Sequence, residues 1–194
     1  MGDPSFTSAT VVMSPSPDYV AKIRGLGWEG LRELWKGILT SHTPGWPPGI
    51  ALEYLLLRMF ELDGSEVRWP FEVRLGDELV EQIDGAVYIG HLAFLVEAKA
   101  SADAVDVTAL ARVRTQLARR PSGTLGLVVS MAGFTRPAVT LARYFAPQTV
   151  LLMSGAEVGA TLQNESIVSN ILVKYRECVE EGAQITLMNR RAVQ

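Results

Sequence analysis

The chain has 194 residues, 48% of them hydrophobic and 20% charged, which are the proportions of a globular protein with one sizeable core. Its formal net charge of -3 argues against a protein that coats nucleic acid by bulk electrostatics, although a local basic surface is still allowed. One cysteine and two histidines exclude an internal disulfide and argue against a zinc centre. No apolar run reaches the length of a membrane span and no export signal is visible, so we expect a cytoplasmic protein that does not enter membranes.

Residues 1–48 are predicted to form a leader and a helical extension. The leader is rich in Ser, Thr and Pro, and its short VVM run could add an edge strand. From Asp18 to Leu39, apolar residues recur at helical spacing with an interruption at Gly25 and Gly27, which predicts two helices or one broken helix. The prolines that follow predict a linker.

Residues 49–160 are predicted to form the core domain. Residues 50–62 have the pattern of a strongly apolar helix, with Glu53 as its early acidic residue. Alternation predicts one strand over residues 66–75 and a second over 78–89, with a Gly76-Asp77 turn between them. Gly90 and His91 then predict a tight hairpin into a third antiparallel strand over 92–99. The acids at outer positions are expected to face solvent: Glu72, Glu78 and Glu81.

The second half of the core alternates between helices and strands. A helix is predicted from the acidic stretch at 103–106 up to Pro121, and a buried strand over 123–130. Thr135 is expected to cap another helix, and residues 149–153 to form a further strand. Helix, strand, helix, strand in this order implies crossovers and a partly parallel sheet. In the tail, residues 161–194, we predict one clear amphipathic helix before Gly182, with Cys178 buried on it.

Two carboxylates and a lysine are predicted to converge at the hairpin. Because side chains alternate along a strand, Glu97 and Lys99 share a face while Ala98 points to the other. A hairpin folded about Gly90 brings Asp84 level with Glu97. Two neighbouring carboxylates repel unless a cation neutralises them, and oxygen ligands from Asp, Glu and a backbone carbonyl suit Mg²⁺ or Mn²⁺. The sequence therefore predicts a hard-metal site.

The order of these residues resembles a known family pattern. Asp84, followed by Glu97-Ala98-Lys99 at the end of an apolar strand, is similar to the active-site motif of PD-(D/E)XK nucleases, with Ile83 where the proline often stands. The run GLVVSMAGFTRPAVTLA resembles the corresponding part of Mrr-like restriction endonuclease domains. The resemblance covers about residues 50–153. It implies a restriction-endonuclease-like α/β fold, three layers α/β/α around a mixed central sheet, with an N-terminal helical segment and a C-terminal helix added.

The resemblance also implies an activity, a metal-dependent hydrolysis of phosphodiester bonds with DNA as the expected substrate. Asp84, Glu97 and the Ala98 carbonyl would hold Mg²⁺ or Mn²⁺, and Lys99 would orient or help deprotonate the attacking water. Glu53 is placed at the metal site by the resemblance, and a carboxylate favoured by the helix macrodipole explains it equally well.

Four arginines and a glutamine on the helix after the motif are further candidates. The arginines could contact DNA phosphates, and a solvated helix face explains them as well: Arg112, Arg114, Arg119 and Arg120. Gln116 is a candidate for contacting the water or the scissile phosphate, against the commoner reading of a surface glutamine. A homodimer is a hypothesis that the C-terminal helix permits, and a partner protein could supply DNA targeting.

Two competing readings remain at this point. The first keeps the fold without the chemistry, as a catalytically silent nuclease-like subunit for nucleic-acid binding or assembly. The second makes Glu97 and Lys99 a surface ion pair worth under about 1 kcal/mol. The sequence does not separate DNA from RNA, endo- from exonuclease action, or one sequence specificity from another.

Overall fold

The structure, a computed structural model, describes residues 9–13, 17–144 and 149–181. It confirms the α/β fold, with a mixed five-stranded sheet between helices and a smaller three-stranded sheet beside it. The strands are β1 (Ala9–Met13), β2 (Glu66–Arg68), β3 (Phe71–Leu75), β4 (Glu78–Ile83), β5 (Gly85–Ile89), β6 (Leu92–Lys99), β7 (Thr124–Ser130) and β8 (Val150–Ser154).

Seven helices occur in the described part of the chain. They are α1 (Pro17–Arg24), α2 (Trp28–Leu39), α3 (Ile50–Leu62), α4 (Val107–Leu117), α5 (Arg136–Arg143), α6 (Gly155–Asn164) and α7 (Ile167–Glu181). The two predicted N-terminal helices are thus present, separated at Gly25–Gly27. Among the described residues, no helix has the length and apolar character needed to cross a membrane.

The central sheet has the order β2-β5-β6-β7-β8 and changes direction at β6. β2, β5 and β6 are antiparallel, and the β5–β6 hairpin turns at Gly90, whose positive φ of 58° suits glycine. β6, β7 and β8 are parallel, because α4 and α5 return the chain across the sheet between them. Gly85 pairs with Val96, so Asp84 lies level with Glu97 at the sheet edge, as predicted.

Helices cover both faces of this sheet, which gives the predicted three layers. α3 is the most buried helix, and its apolar side chains pack with α1, α2, α6 and α7 in one hydrophobic cluster. α4 and α5 cover the opposite face, where Leu110 and Val113 meet Leu95 and Val128 in a second cluster. Alternate residues of β6 therefore belong to different cores.

Two predicted strands are each broken in two, which corrects the expected three-stranded antiparallel arrangement. Residues 66–75 divide at Trp69-Pro70, because a proline has no N–H to donate to a ladder. Residues 78–89 divide at Asp84, next to Gly85, where an added Cβ would lie 2.6 Å from Leu57 Cδ2 of α3. β3 and β4 leave the central sheet at these points and pair with each other, and β3 also pairs with β1, the strand formed by the VVM run.

The C-terminal region contains two helices where one clear amphipathic helix was predicted. α6 begins with a capping box, in which the Ser154 hydroxyl and the Glu157 carboxylate satisfy each other's backbone N–H groups. The predicted helix is α7, and Cys178 is buried on it as expected. The predicted boundary after residue 160 lies inside α6. Residues 1–8, 14–16, 145–148 and 182–194, which include parts of the predicted leader and tail, lie outside the described residues.

Candidate active site

Asp84 and Glu97 meet at the edge of the central sheet, where β5 begins and β6 ends. The Ala98 backbone N–H donates a hydrogen bond of 2.8 Å to Asp84 Oδ2. This bond continues the β5–β6 ladder through a side chain and holds the Asp84 carboxylate beside the end of β6. Lys99 Nζ lies 2.6 Å from Glu97 Oε1. The predicted cluster of two carboxylates and one ammonium is therefore present.

Glu97 is an unusually buried carboxylate, with only 2% of its side chain exposed. Lys99 and Arg112 place positive charge at ion-pair distance from Glu97 Oε1. Arg112 Nη1 lies 3.7 Å from this oxygen. Oε1 makes these ion-pair contacts, and among the described residues neither carboxylate oxygen has a hydrogen-bond partner. Buried polar oxygens without partners are rare in native proteins, so Glu97 has unused capacity to bind a ligand.

Glu53 joins this cluster from α3. Burial, followed by the negative charges of Asp84 and Glu97, raises the pKa of Glu53 from 4.5 to about 8, while Lys99 lowers it. Burial and the charge of Glu97 likewise raise the pKa of Asp84 to about 6, against the Ala98 N–H, Lys99 and Arg112. Three acids are thus close enough for each charge to oppose the others.

The shift at Glu53 predicts a pH-dependent stability for the metal-free protein. Because the folded pKa is raised, the folded state keeps a proton that the unfolded state loses above pH 4.5. The stabilisation is complete below that pH and is lost as the pH rises through about 8. We expect Tm in chelator to fall from about pH 6 to about pH 9, and Glu53→Gln to reduce the fall. Glu33→Gln, on the exposed face of α2, is the matched control, and equal falls in both variants would contradict the assignment.

The residues present fit a hard divalent cation. Carboxylate oxygens of Asp84, Glu97 and Glu53 offer only oxygen ligands, and a divalent ion would remove the mutual repulsion that raises two of their pKa values. Within the described ranges, no three His, Cys, Asp or Glu side chains already stand at coordination distances. The Lys99 ammonium occupies the place beside Glu97 Oε1 that such an ion would share. The main support for this fit is the charge of the three carboxylates and the two Glu97 oxygens, which have no hydrogen-bond partner among the described residues.

Arg112 and Gln116 lie one helical turn apart on the side of α4 that faces β4. Gln116 is buried, not a surface residue, and its Nε2 donates to the Gln82 carbonyl at 3.3 Å. Arg112 Nη2 donates to the same carbonyl at 3.3 Å. Both line a cavity of about 260 Å³ between α4 and β4, which Arg119 also lines. The structure thus brings Arg112 to the carboxylate cluster, whereas Gln116 contacts Gln82 on β4.

Two other arginines of this group hold a buried glutamate. Arg119 Nη1 and Arg120 Nη2 each lie 2.7 Å from the carboxylate of Glu81. The expectation that Glu81 faces solvent is therefore wrong, because the two guanidiniums compensate the cost of burying its charge. Arg114 lies on the exposed side of α4.

Sequence reasoning missed the role of Glu81 and the approach of Arg112 to Glu97. A signal for Arg112 was available, since Arg112 and Gln116 are four residues apart and share one helix face. Glu81 carried no such signal, because its arginine partners are 38 and 39 residues away in sequence.

Three solved structures have a similar fold. Protein VC1899 from Vibrio cholerae is 14% identical, with a TM-score of 0.49, and the match covers 80% of this chain and 57% of that chain. MspJI restriction endonuclease, in complex with a 27-mer oligonucleotide, is 21% identical with a TM-score of 0.41, covering 90% and 38%. The DNA modification-dependent restriction endonuclease AspBHI is 16% identical with a TM-score of 0.41, covering 89% and 44%. The chain thus spans less than two thirds of the length of each.

Sequence comparison identifies the family. No curated protein sequence matches the chain significantly. The Mrr_cat family, described as a restriction endonuclease, matches residues 48–162, which is more than half of the chain and includes Asp84, Glu97 and Lys99. The chain belongs to the Mrr_cat restriction endonuclease family, as the resemblance of the run GLVVSMAGFTRPAVTLA predicted.

Proposed function

We propose that the chain is a nuclease that hydrolyses DNA phosphodiester bonds with the help of Mg²⁺ or Mn²⁺. The observation that carries the proposal is the buried Glu97, whose oxygens receive no hydrogen bond from the described residues, beside Asp84 and Lys99, in a member of a restriction endonuclease family. Asp84, Glu97 and the Ala98 carbonyl are the proposed metal ligands, with Glu53 at the same site.

Each residue of the candidate site has a defined part in this proposal. A bound divalent ion supplies positive charge for the transition state and lowers the pKa of a water ligand. The Ala98 N–H holds Asp84 in place, Arg112 lies near Glu97, and Gln116 remains a proposed contact for the water or the scissile phosphate. Lys99, about one third exposed, orients the attacking water and stabilises negative charge. A charged ammonium is a poor base, so positioning is its proposed role.

One observation favours the second candidate, a catalytically silent nuclease-like subunit that binds nucleic acid or assembles with others. The Lys99–Glu97 contact of 2.6 Å closes the site to an ion unless the lysine moves. A retired site has no physical need to hold Glu53 and Asp84 where burial and the charge of Glu97 raise their pKa values, which is why we prefer the enzyme.

The arginines are proposed to differ in their contribution to DNA binding. Arg112 is half exposed at the mouth of the site, whereas Arg120 is mostly buried against Glu81. We expect Arg112→Ala to raise the Kd for DNA and to reduce the slope of log Kd against log salt by about 1. We expect Arg120→Ala to lower Tm and leave the salt slope unchanged. Salt-dependent fluorescence anisotropy of labelled DNA measures both slopes, and equal effects of the two variants would refute the distinction.

A homodimer, a targeting partner and a cytoplasmic location are also proposals. Val173 and Val179 are exposed on α7, and a second copy could cover them. Cleavage of both DNA strands by one site per chain is simplest with two copies. Sedimentation of the protein at micromolar concentration tests the dimer, and a monomer with and without DNA would exclude it.

The function is tested by incubating the purified chain with supercoiled and linear DNA in Mg²⁺ or Mn²⁺. We expect nicked or linear products that chelator abolishes. Cleavage of supercoiled but not linear DNA would identify an endonuclease that needs no DNA end and prefers supercoiled DNA. Parallel reactions with RNA test the substrate class. If supercoiled and linear DNA both stay intact in Mg²⁺ and also in Mn²⁺, the proposal is rejected.

A further inference from the structure

A second cavity, of about 410 Å³, adjoins the proposed active site on the α3 side of the sheet. Its walls come from the α2–α3 connection, the start of α3 and Ala100. Ala100 directly follows Lys99, while Ala51 and Leu52 directly precede Glu53. The cavity is therefore next to the end of the sheet that holds Asp84, Glu97 and Lys99. It lies on the opposite side of the sheet from the 260 Å³ cavity at α4.

The walls of this cavity are held in place by packing. Trp46 is only 8% exposed and stacks on Tyr19 with a centroid distance of 5.3 Å. Lys22 Nζ lies 4.5 Å from the Trp46 ring centre and donates to the Gly45 carbonyl at 2.8 Å. The connection also lies close against α2, where a Cβ on Gly37 would be 2.6 Å from the His42 carbonyl oxygen. The cavity is thus preformed and needs no ligand to shape it.

The chemistry of the lining selects an uncharged ring. The lining residues include polar and aromatic ones among apolar neighbours: Ser41, His42, Thr43 and Trp46. Among the described residues that line it, none is Lys, Arg, Asp or Glu. Mixed apolar and hydrogen-bonding walls suit a planar heterocycle, whereas the α4 cavity, with Arg112 and Arg119, suits phosphate.

We infer that the 410 Å³ cavity binds one unstacked base of the DNA strand, next to the scissile phosphate. The inference rests on the proposed function, because it takes the substrate strand to cross the edge that holds Asp84, Glu97 and Lys99. A strand on that path passes the mouth of the cavity within a nucleotide or two of the cleaved bond. Unstacking a base costs a few kcal/mol in a duplex and less in a single strand or at a mismatch. The cavity therefore favours single-stranded or locally distorted DNA near the cut.

The test is a scan with abasic sites in single-stranded DNA. One nucleotide at a time is replaced by an abasic analogue, and Kd is measured by fluorescence anisotropy with Lys99→Ala protein in Mg²⁺, so that cleavage does not consume the DNA. We expect Kd to rise about tenfold at one position and little at the others, the magnitude for a lost base contact. An equal Kd at every position overturns the inference.

A protein variant identifies the cavity as the place where that base binds. On the same background, Thr43→Phe fills the cavity and should raise Kd for intact DNA about tenfold, with no further rise at the sensitive abasic position. Leu39→Phe adds the same ring on the exposed end of α2, outside the cavity, and should change neither value. His42→Ala, at an exposed lining residue, gives a second variant if Thr43→Phe does not fold. Additive effects of the abasic site and of these variants would overturn the assignment.

The inference and the proposed function fail in different ways. Cleavage by the wild-type chain with no position-dependent Kd refutes the inference alone. A position-dependent Kd without any cleavage in Mg²⁺ or Mn²⁺ refutes the proposed nuclease activity and leaves the base-binding cavity in place. Absence of DNA binding under all conditions refutes the inference.

Discussion

Replacing Lys99 by alanine is expected to lower Mg²⁺-dependent DNA cleavage by at least about a hundredfold, the usual effect of removing one group that stabilises transition-state charge. Lys99 is the cation that contacts Glu97 most closely, at 2.6 Å, and it is exposed enough to meet water and substrate. Asp84→Ala should cause a loss at least as large, because it removes a proposed metal ligand together with the acceptor for the Ala98 N–H.

The control for these variants is Lys36→Ala. Lys36 forms the same kind of contact, 2.7 Å from Glu33, on the exposed face of α2. We expect it to leave cleavage and Tm unchanged within error. Single-turnover kinetics on plasmid DNA should place the Lys99→Ala loss in the chemical step, with Kd for DNA close to the wild-type value. Full activity in Lys99→Ala would leave this residue without a catalytic role.

Breaking the buried ion pair between α6 and α7 is expected to cost about 3–5 kcal/mol of unfolding free energy. Lys174 Nζ lies 2.6 Å from Glu157 Oε1, and their side chains are 5% and 6% exposed. Lys174→Met leaves the Glu157 charge buried without this partner. Urea denaturation measures the loss. Arg32→Met, which removes a partly exposed pair with Glu165, should cost under about 1 kcal/mol.

Acid should weaken the same contact. Lys174 and Ser154 outweigh the effect of burial and lower the pKa of Glu157, so its stabilisation is complete above the unfolded value of 4.5. It is lost as the pH falls through the lowered folded pKa. Stability of the wild-type protein should therefore fall in acid more steeply than that of Lys174→Met. If the stability of both proteins falls equally with pH, the ion pair does not account for the loss of stability in acid.

The geometry of the proposed site was predictable because it depends on local rules. Strand alternation and a two-residue turn at Gly90 were enough to place Asp84 level with Glu97 and to put Lys99 on the same face as Glu97. The carboxyl end of β6 carries the motif, and β5 is its neighbour in sequence as well as in space. Family resemblance added the expectation that Glu53 lies at the metal site. Burial and the charges of Asp84 and Glu97, which raise the pKa of Glu53, agree with that position.

The missed features depend on distant contacts. The break at Asp84 follows from the close approach of Gly85 to Leu57 on α3, 28 residues earlier, which alternation does not reveal. Glu81 is buried only because α4 delivers Arg119 and Arg120 to it. The start of α6 was a different kind of omission, since Ser154 and Glu157 have the spacing of a capping box and could have been recognised.

Titration of the metal-free protein with Mn²⁺ in a calorimeter tests the proposed metal site most directly. Saturable binding is expected for the wild-type chain, stronger at about pH 8 than at about pH 6, because the acids must lose their protons to bind a cation. Asp84→Asn should abolish it, and Glu72→Gln, on β3 outside the cluster, should retain it. Equal Mn²⁺ binding by Asp84→Asn and wild type, or none by either, would contradict the account.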